Sequence, residues 1–264
     1  MKPTILLIDD NEEILEFLEE ELSEKYTLYK ALSAELAFQV LRNEPIQLII
    51  SDVMMPGMDG FEFCCILKGD VEYSHIPVIL LTAKNTMQSK IVGLEIGADA
   101  YVEKPFSPLY LQAQISNLLI NRNKIRDYFA NSPLVHIKSM AYSKADENFL
   151  DKLQESIEKN MTDTELDVEK IAKIMAMSRP TLYRKIKAIS NLTPNELIHI
   201  TRLKKAAGLL AEGTRKIYEI IEMVGYQSQT NFSRSFLKQF GMTPTEYSQL
   251  KHAERKSEQA DERI

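Results

Sequence analysis

Apolar and polar positions follow two different regimes along the chain. In the first 120 residues three continuous apolar runs occur: 4–8 (TILLI), 47–51 (QLIIS) and 77–81 (PVILL). Uninterrupted runs of this length are the form taken by parallel strands buried on both faces. Stretches with helical spacing lie between and after them, at 12–22, 34–41, 61–67 and 109–119, and weaker strand signals sit at 27–31 and 100–103. Every strand is followed by a segment able to form a helix, which predicts a doubly wound α/β sheet of five strands.

Past residue 120 the strand signals stop. Segments 147–159, 168–175, 178–189, 194–211, 217–223, 228–240 and 244–249 read as helices. A short helix, a turn and a longer helix occur at 168–189 and again at 217–240, so two helix-turn-helix units are predicted in an all-α second domain. Residues 122–145, with Asn131-Ser132-Pro133 and no clear periodicity past Phe129, read as a linker whose first part can extend the preceding helix. The charged stretch 251–264 reads as a frayed or disordered tail. The predicted division is a first domain over 1–121, the linker 122–145, a helical domain over 146–250 and the tail.

A length of 264 residues accommodates two such cores. The net charge of −6 conceals an asymmetry: Lys+Arg minus Asp+Glu is −11 over 1–120, +1 over 121–160, +4 over 161–250 and 0 beyond. The basic excess points to a polyanion for the second half and a cation for the first. No apolar run approaches the roughly 20 residues that span a bilayer, so no membrane contact is expected. The two cysteines, Cys64 and Cys65, are adjacent and cannot staple distant segments, which fits a reducing cytoplasm. On a helix without a His or second Cys pair at metal spacing, they read as packing.

Functional groups of an open parallel sheet gather at the carboxyl ends of its strands. Asp9 and Asp10 end the first predicted strand, Asp52 the third, Thr82 the fourth and Lys104 the fifth. Three carboxylates on one sheet edge raise each other's pKa unless a cation joins them. Mg²⁺ suits such a site, since it accepts one or two carboxylates and keeps water or phosphate oxygens in its other octahedral positions. This is chemistry for phosphoryl transfer, where positioning and charge neutralisation dominate. In this reading Asp52 is the acceptor nucleophile, Asp9 and Asp10 hold the metal with it, Lys104 pairs with the incoming phosphate, and Thr82 donates to it. Tyr101 is then placed to change rotamer when Thr82 moves.

The strings Asp9-Asp10-Asn11, Ser51-Asp52-Val53-Met54-Met55-Pro56-Gly57-Met58-Asp59-Gly60, Leu81-Thr82-Ala83, Gly97-Ala98-Asp99 and Lys104-Pro105-Phe106 together resemble the response-regulator receiver family over about residues 3–120. The resemblance implies a flavodoxin-like fold, a Met54 carbonyl on Mg²⁺, Ala83 beside Thr82 at the phosphate, and a cis Lys104–Pro105 peptide.

In 178–189 Ser178 is a good N-cap and Pro180 is tolerated in the first turn. Leu182, Ile186 and Ile189 share a face, leaving Pro180, Tyr183, Arg184 and Lys187 opposite, the layout of a recognition helix. The second unit repeats it: Ser228 caps a helix with Phe232, Phe236 and Phe240 inward and Gln229, Thr230, Ser233 and Arg234 outward. Gln and Arg can make bidentate contacts with adenine and guanine edges. The run Gly225 to Phe236, the following Phe240-Gly241-Met242-Thr243-Pro244-Thr245-Glu246-Tyr247, and Ser178 to Lys185 resemble AraC-type transcription factors over about 147–248. That resemblance implies base-facing roles for Tyr183, Arg184, Gln229, Thr230, Ser233 and Arg234, with Lys185, Lys187, Arg202, Lys204 and Lys205 as phosphate contacts or simply solvated residues.

Together the two halves read as a two-component response regulator. A histidine kinase phosphorylates Asp52, and this phospho-acceptor and transcription factor, rather than an enzyme, then binds double-stranded DNA, as a homodimer when phosphorylated. The face expected to respond combines the helix after the fourth strand, the fifth strand and the helix that follows. Lys2-Pro3-Thr4, the junction Arg122 to Phe129 and Ala145-Asp146-Glu147-Asn148-Phe149-Leu150, with this second domain, also resemble the C-terminal part of hybrid histidine kinases, in which the donor is a kinase on the same polypeptide. A free-standing regulator is the alternative. An aspartyl-phosphate phosphatase is a remote one, because neither Asp9-Asp10-Asn11 nor Asp52-Val53-Met54 has the Asp-x-Asp form such enzymes carry.

Overall fold

The computed structural model describes residues 2–83 and 96–261, with side chains as far as residue 255. The helix expected after the fourth strand falls in 84–95, outside the described residues. Two compact units are present: one of residues up to Asn123 together with Tyr142–Asp146, the other of Lys124–Ala141 and Glu147 onward.

The first unit is built from β1 (Thr4–Ile8), α1 (Glu12–Leu22), β2 (Thr27–Ala31), α2 (Ala34–Asn43), β3 (Leu48–Asp52), α3 (Gly60–Gly69), β4 (Val78–Thr82), β5 (Ala100–Glu103) and the first part of α4 (Pro108–Asn131). The strands form one parallel sheet in the order β2-β1-β3-β4-β5. Alternate strand residues feed two cores. Leu6, Ile8, Ile49, Val78 and Leu80 pack with α2 and α3 through Ala37, Leu41, Phe63 and Leu67. Ile5, Leu7, Leu48, Ile50, Ile79 and Leu81 pack with α1 and α4 through Leu15, Leu18, Leu111 and Ile115. Burial on both faces explains why these strands are apolar without interruption.

The second unit contains the end of α4, a 3₁₀ turn at Ile137–Met140, and helices α5 (Lys144–Lys159, whose start belongs to the first unit), α6 (Val168–Ile174), α7 (Arg179–Ser190), α8 (Pro194–Glu212), α9 (Ile217–Met223), α10 (Gln229–Phe240) and α11 (Pro244–Asp261). Its core is one continuous cluster.

The internal repeat is closer than helix spacing alone reveals. Ser178 and Ser228 cap α7 and α10, Asn191 and Gly241 end them with φ of 60° and 75°, and Thr193 and Thr243 open α8 and α11. Each of these pairs is displaced by 50 residues. Thr193 forms a capping box with Glu196, and Thr243 makes the same bonds with Glu246. The turns before α7 and α10 also close alike: Met177 N–H bonds Ala172 C=O and Tyr226 N–H bonds Ile221 C=O, both at 3.0 Å, the six-residue closure of a Schellman motif. Gly225 occupies its turn at φ 73°, where an added Cβ would lie 2.1 Å from the Met161 carbonyl oxygen. Ala176 takes the matching position at φ 53° with a Cβ in place.

Two boundaries differ from the sequence reading. The first part of 122–145 does extend the preceding helix, with α4 unbroken to Asn131, but the segment is not a tether: Phe129, Ile137 and Met140 are buried in the helical core. The reason is that α4's buried stripe continues through Arg122. Arg122 is 6% exposed, donating to Asp99 Oδ1 at 3.0 Å and to the His75 carbonyl, with the Tyr142 ring over its guanidinium at 3.8 Å. Asp146, fully buried, accepts from Ser74 Oγ at 2.7 Å, which ties Tyr142–Asp146 to the first unit. The stretch 251–264 is likewise not disordered throughout, because α11 extends to Asp261.

Candidate functional site

At the carboxyl edge of the sheet, Asp9 directly follows β1 and Asp52 closes β3. Gly60 permits the local fold, since a Cβ there would lie 2.1 Å from the Asp52 carbonyl oxygen. Asp9 is 1% and Asp52 6% exposed, whereas Asp10 faces water. Carboxylate oxygens of Asp9, Asp10 and Asp52 all lie within 4.8 Å of one another. Lys104, just past β5, places Nζ 2.8 Å from both Asp9 Oδ2 and Asp52 Oδ1. The other oxygen of Asp52 accepts from the Met54 backbone N–H at 3.1 Å, and Asp9 Oδ1 accepts from Asn11 N–H at 3.0 Å.

Burial pushes the Asp52 carboxyl above its ordinary value, against the pull of the Lys104 hydrogen bond and charge. Burial also works against the Lys104 ammonium, but its bonds to Asp52 and Asp9 outweigh it and hold the pKa above the usual lysine value. One ammonium among three carboxylates leaves two negative charges in the pocket. A set of hard oxygen donors with that residual charge fits a divalent ion such as Mg²⁺.

Thr82 ends β4 and is fully buried; its carbonyl accepts from Lys104 N–H at 2.8 Å. Ala83 follows it, exposed. The Lys104–Pro105 peptide is cis. Tyr101 on β5 is half-buried against Phe61, ring centroids 6.1 Å apart, and its hydroxyl finds no hydrogen-bond partner among the described residues. Burial pushes its pKa up to about 12. Asp99 is the residue whose structural weight the strand-end pattern understated: its Oδ2 accepts from Lys68 Nζ at 2.6 Å and from Val78 N–H at 2.9 Å. Cys64 is a buried free thiol on α3 and Cys65 an exposed one.

In the helical unit, Pro180, Tyr183, Arg184 and Lys187 of α7 are exposed, as are Gln229, Thr230 and Arg234 of α10, with Ser233 half-buried beside them. Leu182 and Ile186 of α7 correspond in place to Phe232 and Phe236 of α10, all 2% exposed or less. Lys185 is a correction. At 1% exposure, with Nζ 5.8 Å from the centre of the Phe149 ring, it is an inward residue and not a surface contact for phosphate. It lies three residues from Leu182 and four from Ile189, on the edge of the apolar stripe, and its long stem fills that edge. Lys204 is also drawn inward: Nζ donates to the Ser132 and Val135 carbonyls and sits 4.4 Å from the Phe129 ring centre. Arg202 donates to the Asp163 carbonyl at 2.6 Å, and Lys205 pairs with Glu158 at 3.7 Å.

No helix among the described residues is long and apolar enough to cross a membrane. Residues 5–116 match the model of the response regulator receiver domain, and residues 171–249 that of a helix-turn-helix domain. The chain is 38% identical over 246 residues to Histidine kinase P4 of Formosa agariphila, a match covering 93% of this chain and 18% of that protein. It is 42% identical over 116 residues to Response regulator GtcR of Aneurinibacillus migulanus, covering 44% of this chain and 47% of that one. Among solved structures, the response regulator DrrB of Thermotoga maritima, an OmpR/PhoB homologue, is 32% identical with a TM-score of 0.43, covering 46% of this chain and 54% of that chain. The chain thus spans less than two thirds of the length of these curated relatives. It carries a response regulator receiver domain over residues 5–116, followed by an AraC-type helix-turn-helix domain over residues 171–249.

Proposed function

We infer that this chain is a phosphorylation-controlled transcription regulator in which Asp52 accepts a phosphoryl group from a histidine kinase and α7 and α10 read DNA. The observation that carries the reading is the Lys104 ammonium held between Asp9 and Asp52 at 2.8 Å from each, beside Asp10. In the transfer a P–N bond of phosphohistidine breaks and a P–O bond to Asp52 forms. Lys104 neutralises the transferred group, Thr82 donates its hydroxyl to it with Ala83 beside it, and Tyr101 follows Thr82. Asp9, Asp10, Asp52 and the Met54 carbonyl are the groups that would hold Mg²⁺, which when bound offsets charge on the phosphoryl oxygens. On the DNA side, Tyr183, Arg184, Gln229, Thr230, Ser233 and Arg234 face base edges and Lys187 a phosphate.

A match covering both domains within a histidine kinase several times longer favours a hybrid-kinase segment over a free-standing regulator. Phosphorylation then promotes homodimer formation and DNA binding. The test is incubation with acetyl phosphate and Mg²⁺, with intact-mass detection of the adduct and selection of bound duplexes from a random-sequence pool. Labelling that persists in Asp52→Asn, or DNA affinity that ignores phosphorylation, rejects the reading.

A further inference from the structure

The end of α4 touches both recognition helices at the same place. Arg126 Nε donates to the Ile189 carbonyl at 2.9 Å, and its terminal nitrogen to the Ala188 carbonyl, in the last turn of α7. In the last turn of α10, Gln239 Nε2 donates to the Ala130 carbonyl at 2.8 Å. Residues 189 and 239 are equivalent under the 50-residue repeat that relates the two helices. Between these grips lies Phe129, 1% exposed, against the Lys204 ammonium of α8, the helix that joins the two helix-turn-helix segments. The final carbonyls of a helix lack intrahelical partners and carry the negative end of its dipole, so a guanidinium there both caps and fixes the helix.

We propose that residues 126–130 are a brace that sets the distance and phase between the two recognition helices, with Arg126 as its positioning residue. Neither Arg126 nor Gln239 belongs to the base-facing set. They act through α7 and α10, which need a fixed separation to enter successive major grooves about 34 Å apart on one side of a duplex. Without the brace each helix still docks, while the joint geometry loosens. The proposal rests on the DNA-binding reading above and addresses how the two half-sites are read together.

The experiment uses the full chain and a duplex that the wild type selects from a random-sequence pool, together with versions whose half-sites are moved apart or together by one base pair, and each half-site alone. Arg126→Ala is expected to bind the selected duplex about tenfold more weakly, to lose most of the wild-type preference for its spacing, and to bind single half-sites unchanged. Arg126→Lys, still able to donate to both carbonyls, restores the spacing preference in large part. An unchanged spacing profile in Arg126→Ala overturns the proposal. So does an equal loss on half-sites and full sites, which marks a phosphate contact, or an equal loss with a reduced far-ultraviolet helical signal, which marks a folding defect. Failure of the wild type to select any duplex instead rejects the DNA-binding reading itself.

Discussion

Lys104 Nζ stands 2.8 Å from Asp52 Oδ1, and the same ammonium also neutralises Asp9. Replacing it with alanine leaves two buried carboxylates without their cation, so Lys104→Ala should cost about 3 kcal/mol of stability. Millimolar Mg²⁺ should restore part of that loss, because a ligand that binds only the folded state stabilises it. Urea unfolding with and without Mg²⁺ measures both effects; a variant as stable as wild type without the ion contradicts the placement.

Arg122 is predicted to be among the costliest single positions outside the acidic pocket. Its guanidinium is 6% exposed and joins Asp99, the His75 carbonyl and the Tyr142 ring. Arg122→Ala removes the donor to Asp99 Oδ1 while Lys68 stays on Oδ2, and a loss of roughly 2 kcal/mol is expected in denaturant unfolding. A change below 0.5 kcal/mol, within the range of ordinary surface substitutions, argues against the network.

The two lysines of α7 should separate cleanly in salt titrations of DNA binding. Lys187→Ala, at an exposed position, is expected to weaken binding evenly across sequences and to reduce the slope of log affinity against log salt by about 1. Lys185→Met should leave that slope unchanged, because the ammonium is turned toward Phe149. Equal slopes for the two variants would contradict this.

Ala176 and Gly225 hold equivalent left-handed turn positions with φ of 53° and 73°. Removing the Cβ at the first, Ala176→Gly, should stabilise the helical unit by up to about 1 kcal/mol, the scale of the left-handed penalty for a residue with a Cβ. Adding one at the second, Gly225→Ala, drives it into the Met161 carbonyl and should destabilise. Thermal melts of the pair give opposite signs if the turns are as described.

Acid should weaken the helical unit in two stages. Burial, aided by Arg202 and Lys238, lowers the His199 pKa, and burial with Lys138 lowers that of His136. A folded-state value below the unfolded one means the stabilisation is complete above the ordinary 6.5 and is lost as pH falls through that value toward the folded one. The lowered carboxyls of Glu196 and Glu246, held by Thr193 and Thr243, lose their contribution only below about 4.5. Thermal midpoints between pH 7.5 and 5.5 should therefore fall in wild type, and fall less in the double variant His136→Gln/His199→Gln. Equal slopes contradict the assignment.

Much of this was legible because burial on both sides of a parallel sheet forces uninterrupted apolar strands, and because the carboxyl ends of β1, β3 and β5 carry their charged residues in the sequence itself. The boundary at 122–145 was illegible for a specific reason. The stripe Leu111, Ile115, Arg122, Phe129 keeps one face of α4 buried, but an arginine stands where periodicity looks for an apolar residue, and only the tertiary partners Asp99 and Tyr142 reveal it as an inward position. Lys185 failed for the same reason: residue type indicated solvent, while its place beside Leu182 and Ile189 indicated the core.

The matched fittings of the two helix-turn-helix halves make them interchangeable parts. Ser178 to Glu196 and Ser228 to Glu246 have the same span, opening on a serine cap, turning at a left-handed residue and ending in a Thr-Pro-x-Glu box. An exchange of the exposed positions of α7 for those of α10 therefore leaves every cap and closure in place. The chain is in effect a frame with two matching mounts, in which the exposed faces of α7 and α10 can be traded without touching the caps that hold them.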